Sequence, residues 1–266
     1  MRGGRRPWSL KRQLVTFGVL AYALSWAWWV PMAVRGDVSR AGQGWPTHLV
    51  GLTGPAIAAL VTAGWCGGRR DVATLLRRCV MWRVPMIAWV AVAAAVLLAL
   101  LALLVTDDPA DSLSYSGAPE LGILTVLVVL LVNGFGEELG WRGFMVTRLR
   151  TERSLRDTAV IVWVVWGCWH LPLFWIVANF RDFGVAGTVG WAVGLFFGSV
   201  FLAWLLGAAR GSVLIVALWH TAYNFATATD AGAGGVAAVA TMAVVAATVW
   251  IMRSGPNGPE ATTPRG

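Results

Sequence analysis

Eight apolar runs occupy most of the chain, and they limit its architecture more than any other feature. They are Leu14–Met32, Leu49–Trp65, Pro85–Val105, Leu121–Phe135, Val160–Val177, Gly190–Ala209, Val213–Ala228 and Val236–Met252. Crossing a hydrocarbon core takes ~20 helical residues, and backbone amides in lipid must be satisfied within their own segment. The runs therefore predict an all-α fold, a polytopic membrane helix bundle with about eight transmembrane helices. Composition agrees: 58% of the 266 residues are hydrophobic and only 13% charged, against about 25% charged in a soluble domain.

The net charge of +8 is placed as a membrane protein would place it. With the N-terminus in the cytoplasm, every Lys and Arg except Arg35, Arg40 and Arg181 falls in a cytoplasmic segment, while Asp107, Asp108, Asp111 and Glu120 lie outside. A miscounted helix would invert all later loops, so the bias supports the count. It predicts a multi-pass protein of the cell (inner or plasma) membrane with both termini cytoplasmic. Its basic loops would meet anionic membrane lipids rather than nucleic acid. The first run is not expected to be a cleaved signal peptide, since no small-residue cleavage site follows and Trp26, Trp28 and Trp29 suit an interface. Cys66, Cys79 and Cys168 form no Cys-x-x-Cys pair and read as free thiols. The expected organisation is N-terminal helices with basic segments over 1–120 and a core over 121–228. A last helix over 229–252 and a disordered tail over 253–266 complete it.

Polar residues in the core segment carry the chemistry. Glu137 and Glu138 follow directly on Leu121–Phe135, and ionised carboxylates beside hydrocarbon need partners. Successive helical side chains diverge by about 100°, so the two acids cannot face one point. Glu138 and Arg142 are four apart, the spacing of a same-face ion pair, which leaves Glu137 to point elsewhere. His170 lies within Val160–Val177, and His220 and Asn224 share a face of Val213–Ala228. Counted from the run ends, Glu137, His170 and His220 fall in the cytoplasmic half at depths where they can meet. Trp166 and Trp219 read as packing residues. Each polar group alone has a plainer reading: interfacial caps, a core histidine on a carbonyl, interhelical hydrogen bonds.

Glu137-Glu138-x-x-x-Arg142, then Trp166-x-x-x-His170, then His220-x-x-x-Asn224, in this order on successive helices, resembles the CAAX protease and bacteriocin-processing family of intramembrane endopeptidases. That family includes the type II CAAX prenyl proteases. The resemblance spans Leu121–Ala228, and the second motif opens with Trp166 where the family usually has Phe. It implies a catalytic set of Glu137, His170, His220 and Asn224. Glu137 would activate a water that His170 helps to hold, and His220 and Asn224 would donate to the oxyanion. Glu138 and Arg142 would support them. No cofactor is expected; the alternative is a divalent metal such as zinc on Glu137, His170 and His220. Expected partners are membrane-bound or lipidated peptide or protein substrates, or hydrophobic precursors such as bacteriocins, in a cavity open to the inner leaflet.

Other protease chemistries lack their residues. Leu49, Leu171 and Thr221 follow the three histidines, so no His-Glu-x-x-His exists; no Gly-x-Ser-x-Gly lies in a run, and no Asp does. The rivals from other classes are a proton-coupled transporter using Glu137, His170 and His220 as a relay, and a non-proteolytic scaffold or immunity protein.

Overall fold

The computed structural model describes residues 8–106, 113–229, 231–232 and 234–254. The expected tail beyond Ser254 and the acidic positions Asp107, Asp108 and Asp111 lie outside the described residues. All eight apolar runs are helical: α1 Leu10–Arg35, α2 Leu49–Arg78, α3 Met86–Val105, α4 Ile123–Leu149, α5 Leu155–Ile176, α6 Gly184–Ala208, α7 Val213–Thr227 and α8 Gly235–Arg253. Among the described residues there is no strand, only isolated bridges, and the chain is an all-α polytopic bundle. Seven helices are long and apolar enough to cross a membrane; α7 is shorter. Its 15 residues rise only ~22 Å, less than a ~30 Å core.

The charge asymmetry has a structural counterpart. The helix starts at Ser9, Ser154 and Ser212 lie at the arginine-rich end. Each serine hydroxyl accepts a backbone N–H of the first turn, at 3.3, 3.1 and 3.3 Å. At the opposite end the connecting loops are tied together by the bridges Ser39–Val177, Ala41–Ser116, Gln43–Pro119 and Tyr115–Thr229. A cap therefore joins the far ends of α1, α5 and α7 and the start of α4.

Helix α4 extends well beyond its apolar run: Leu121–Phe135 is short for a span, and the helix continues past the glutamates to Leu149. It does so through two wide π-helical stretches, Leu130–Gly134 and Leu139–Val146, on either side of Phe135–Glu138. Such wide turns are rare and concentrate at functional sites. The polar continuation is hidden by protein rather than by water, because Glu138, Trp141 and Arg142 have no exposed surface. Glycines make this possible. A Cβ at Gly136 would stand 2.8 Å from the Leu52 carbonyl oxygen, and one at Gly140 2.6 Å from that of Pro55. The four-residue spacing of Gly136 and Gly140 is the small-residue pattern by which membrane helices bring their backbones together. It seats the acid pair against α2.

Around this contact the core is aromatic. Trp169 lies 4.7 Å from Trp29 and 5.5 Å from Trp141, ring centre to ring centre. Large apolar side chains such as Val19, Leu97, Leu104 and Ile123 face outward, as lipid requires.

Candidate active site

Helices α4, α5 and α7 bring the predicted residues together. Within α4 the two acids diverge as their spacing demands. Glu138 faces Arg142, whose Nη1 donates to Oε1 at 2.8 Å with both side chains fully buried. The same oxygen lies 2.7 Å from His220 Nδ1. A carboxylate beside a guanidinium only accepts, so His220 carries its proton on Nδ1. This pairing joins the α4 acid to the α7 histidine.

Glu137 turns to a different set. Its Oε1 accepts from Asn133 Nδ2 at 3.2 Å and its Oε2 from the Trp166 indole Nε1 at 2.7 Å. Glu137 is 2% exposed. Two N–H donors leave further lone pairs on the carboxylate for a water. His170 holds its Nδ1 2.7 Å from the Trp166 carbonyl oxygen. A carbonyl only accepts, so Nδ1 carries the proton and Nε2 of the neutral ring keeps a lone pair.

Trp166 is the centre of the arrangement. Its ring lies 5.4 Å from that of His170 and 5.8 Å from that of His220, and the Arg142 guanidinium sits 4.0 Å over its face. Its assignment to packing is therefore corrected: it packs, and it also bonds the acid. Asn224 is in the cluster too. Its Nδ2 donates to Asn133 Oδ1 at 2.9 Å and to the Tyr115 hydroxyl at 3.3 Å. Both amide hydrogens are thereby engaged, and an oxyanion would reach Asn224 only by displacing one partner.

Two residues of the network were not anticipated. Asn133 stands one turn before Glu137, a polar residue in a Leu/Val run, and that spacing was a usable signal. Tyr115 reaches the site from the loop between α3 and α4, and nothing in its sequence neighbourhood points there.

Helix α5 starts at Leu155, earlier than its apolar run, so His170 comes at the end of its regular turns. Exposure rises from zero at Glu138 and Arg142 to 7% at His170 and His220, and Asn224 is half-buried. The least buried members of the cluster therefore lie on the side away from the arginine-rich end.

Among the described residues no three His, Cys, Asp or Glu side chains are grouped closely enough to hold a metal.

Comparison with known proteins bears on this same stretch. Residues 119–226 match the profile of the Rce1-like family, described as type II CAAX prenyl endopeptidase Rce1-like. A curated relative, CAAX prenyl protease 2 of Methanococcus maripaludis, is 24% identical over 103 residues, which cover 37% of this chain and 38% of the relative. The aligned part is thus well under half of that protein's length. The segment 119–226 holds all seven motif residues named from the sequence, and it is over this stretch, less than half of the chain, that the chain is similar to the Rce1-like type II CAAX prenyl endopeptidases.

Proposed function

We propose that the chain is an intramembrane endopeptidase that hydrolyses membrane-bound or lipidated peptides with a glutamate-activated water. The observation that carries this is Glu137: a carboxylate buried at mid-helix and oriented by two N–H donors, one of them the Trp166 indole, whose ring packs against both histidines. A bundle needing only an ion pair would have no use for it, since Arg142 already serves Glu138.

The chemistry follows from the free valences. A water held between Glu137 and the His170 Nε2 lone pair gives a proton to Glu137 as its oxygen attacks the scissile carbonyl carbon. The carbonyl π pair moves onto oxygen. When the C=O bond re-forms, the C–N bond breaks and the leaving nitrogen takes the proton from Glu137. One water is consumed, and an acid and an amine are formed. General-base catalysis of this kind is worth typically 10²–10⁴-fold. His220, fixed by Glu138 and Arg142, presents a second Nε2 to the site, and the carboxylate steadies any positive charge that ring acquires.

The arginine-rich end lies in the cytoplasm under the positive-inside rule. The site then sits near mid-depth with its wetter edge toward the other face, which favours substrates presented from that side over the inner-leaflet opening expected above. A transporter is less favoured. Beyond Arg142, buried Phe144, Met145, Val146 and Val213 separate the cluster from the arginine-rich end, whereas a relay needs polar groups to both faces.

The test is turnover of a panel of internally quenched hydrophobic peptides, with and without a prenylated cysteine, by purified protein in detergent. Wild type should cleave members of the panel and continue after chelator treatment, whereas Glu137→Gln should be inactive and folded. Proton or solute flux in vesicles with no cleavage of any peptide would overturn the proposal.

A further inference from the structure

An oxyanion needs a donor, and most N–H groups around Glu137 are already committed. Trp166 Nε1 donates to Glu137, and both Asn224 amide hydrogens are taken. The protons on the two Nδ1 atoms face Trp166 and Glu138. Arg142 Nε and Nη2 have no partner, but they are fully enclosed, with the guanidinium under the face of Trp166.

Tyr115 stands apart from all of these. Its hydroxyl oxygen accepts from Asn133 Nδ2 at 3.5 Å and from Asn224 Nδ2 at 3.3 Å. Its own proton finds no acceptor among the described residues. A phenol with both lone pairs occupied can only donate. Asn133 Nδ2 also bonds Glu137 Oε1, so phenol and carboxylate are at most two hydrogen-bond lengths apart, with one amide group between them. That spacing suits a water on the acid and a carbonyl oxygen on the phenol.

We propose, resting on the proteolytic reading above, that Tyr115 is a catalytic residue whose O–H donates to the carbonyl oxygen of the scissile bond as it becomes an oxyanion. The loop that carries it is built to hold it there. Its ring packs 5.6 Å from Phe225, its backbone bridges to Thr229, and its neighbour Ser116 bridges to Ala41. Tyr115 is 6% exposed, enough to border the open edge of the cluster. Burial, reinforced by the nearby Glu137 charge, pushes the phenol well above its ordinary range. The donor proton is therefore retained through neutral pH. Tyr115 also lies outside the matched stretch 119–226, so the family comparison does not supply this role.

The experiment compares wild type, Tyr115→Phe and Glu137→Gln on the same quenched-peptide panel, together with binding of a peptide phosphonamidate whose tetrahedral oxyanion copies the intermediate. Loss of one oxyanion donor should lower kcat of Tyr115→Phe roughly 100-fold or more with KM little changed. Phosphonamidate affinity should fall by a comparable factor, while affinity for the cleaved peptide product holds. A tyrosine that only props up Asn133 and Asn224 would instead raise KM and weaken product binding together. Should Tyr115→Phe fail to fold, 3,5-difluorotyrosine at position 115 keeps the acceptor oxygen but acidifies the phenol. Activity should then fade with rising pH where wild type holds, and an unchanged profile would overturn the proposal. Glu137 is the charged group acting on this phenol, and it is the same in both proteins. Full activity of Tyr115→Phe beside an inactive Glu137→Gln defeats this inference alone. Activity in Glu137→Gln, or no turnover by wild type, defeats the proteolytic reading and this inference with it.

Discussion

The indole nitrogen of Trp166 lies 2.7 Å from Glu137 Oε2, so the aromatic that opens the second motif is bonded to the acid that opens the first. Phenylalanine, usual at this position in the family the motifs resemble, has no N–H to offer. This chain therefore aims its acid with a donor on another helix.

Replacing Trp166 with Phe keeps a ring under Arg142 and removes only that donor. A hydrogen bond to a charged group is worth about 1.5–3 kcal/mol, and kcat should fall tenfold or more. Trp166→Ala should lose more, since the Arg142 guanidinium also loses its aromatic face. Steady-state rates on the cleaved peptides of the panel decide it, and wild-type kcat in Trp166→Phe would show the bond to be idle.

Arg142→Ala should destabilise the bundle strongly. It leaves Glu138 buried, with His220 as the sole remaining donor to its Oε1. Breaking a buried pair from one side costs about 3–5 kcal/mol. Unfolding in a denaturing detergent series should show that loss, and a change under 1 kcal/mol would mean that the pair is not the anchor described.

Gly140→Ala tests the close approach of α4 and α2. The new methyl would meet the Pro55 carbonyl oxygen at 2.6 Å, a backbone atom with little room to retreat. Overpacking of this kind costs about 1–3 kcal/mol, and because the glutamates sit in the same turn, activity should fall with it. A melting temperature and rate equal to wild type would contradict the packing.

Topology is checked in a background with Cys66, Cys79 and Cys168 replaced. Gln43 and Arg153 are exposed at opposite ends of the bundle. In intact cells a membrane-impermeant thiol reagent should modify Gln43→Cys and spare Arg153→Cys, with the reverse in inverted vesicles. Labelling of Arg153→Cys from outside would reverse the orientation and put the open edge of the site in the cytoplasm.

The bundle was legible because lipid leaves a chain few choices, and all eight apolar runs are helices. Their ends were legible only where water sets them. Helix α4 was drawn too short because Glu138, Trp141 and Arg142 are covered by neighbouring helices, a fact that hydropathy cannot report. Helix α5 was drawn too short at its start, although Ser154 followed by Asp157 is a readable capping signal. Within the site, spacing revealed what one helix settles: the Glu138–Arg142 pair, the divergence of the two acids, and the shared face of His220 and Asn224. It could not reveal that Glu138 serves a histidine 82 positions later, nor that a loop delivers Tyr115. Those contacts depend on how helices dock. Trp166 misled because an indole is apolar over its face and polar at one atom.

The brevity of α7 shortens the way in to the site. Its 15 residues, none of them exposed, are sheathed by longer helices, and they rise ~8 Å less than a hydrocarbon core is thick. His220 and Asn224 stand on that helix, so a water passing its end would have less apolar depth to cross.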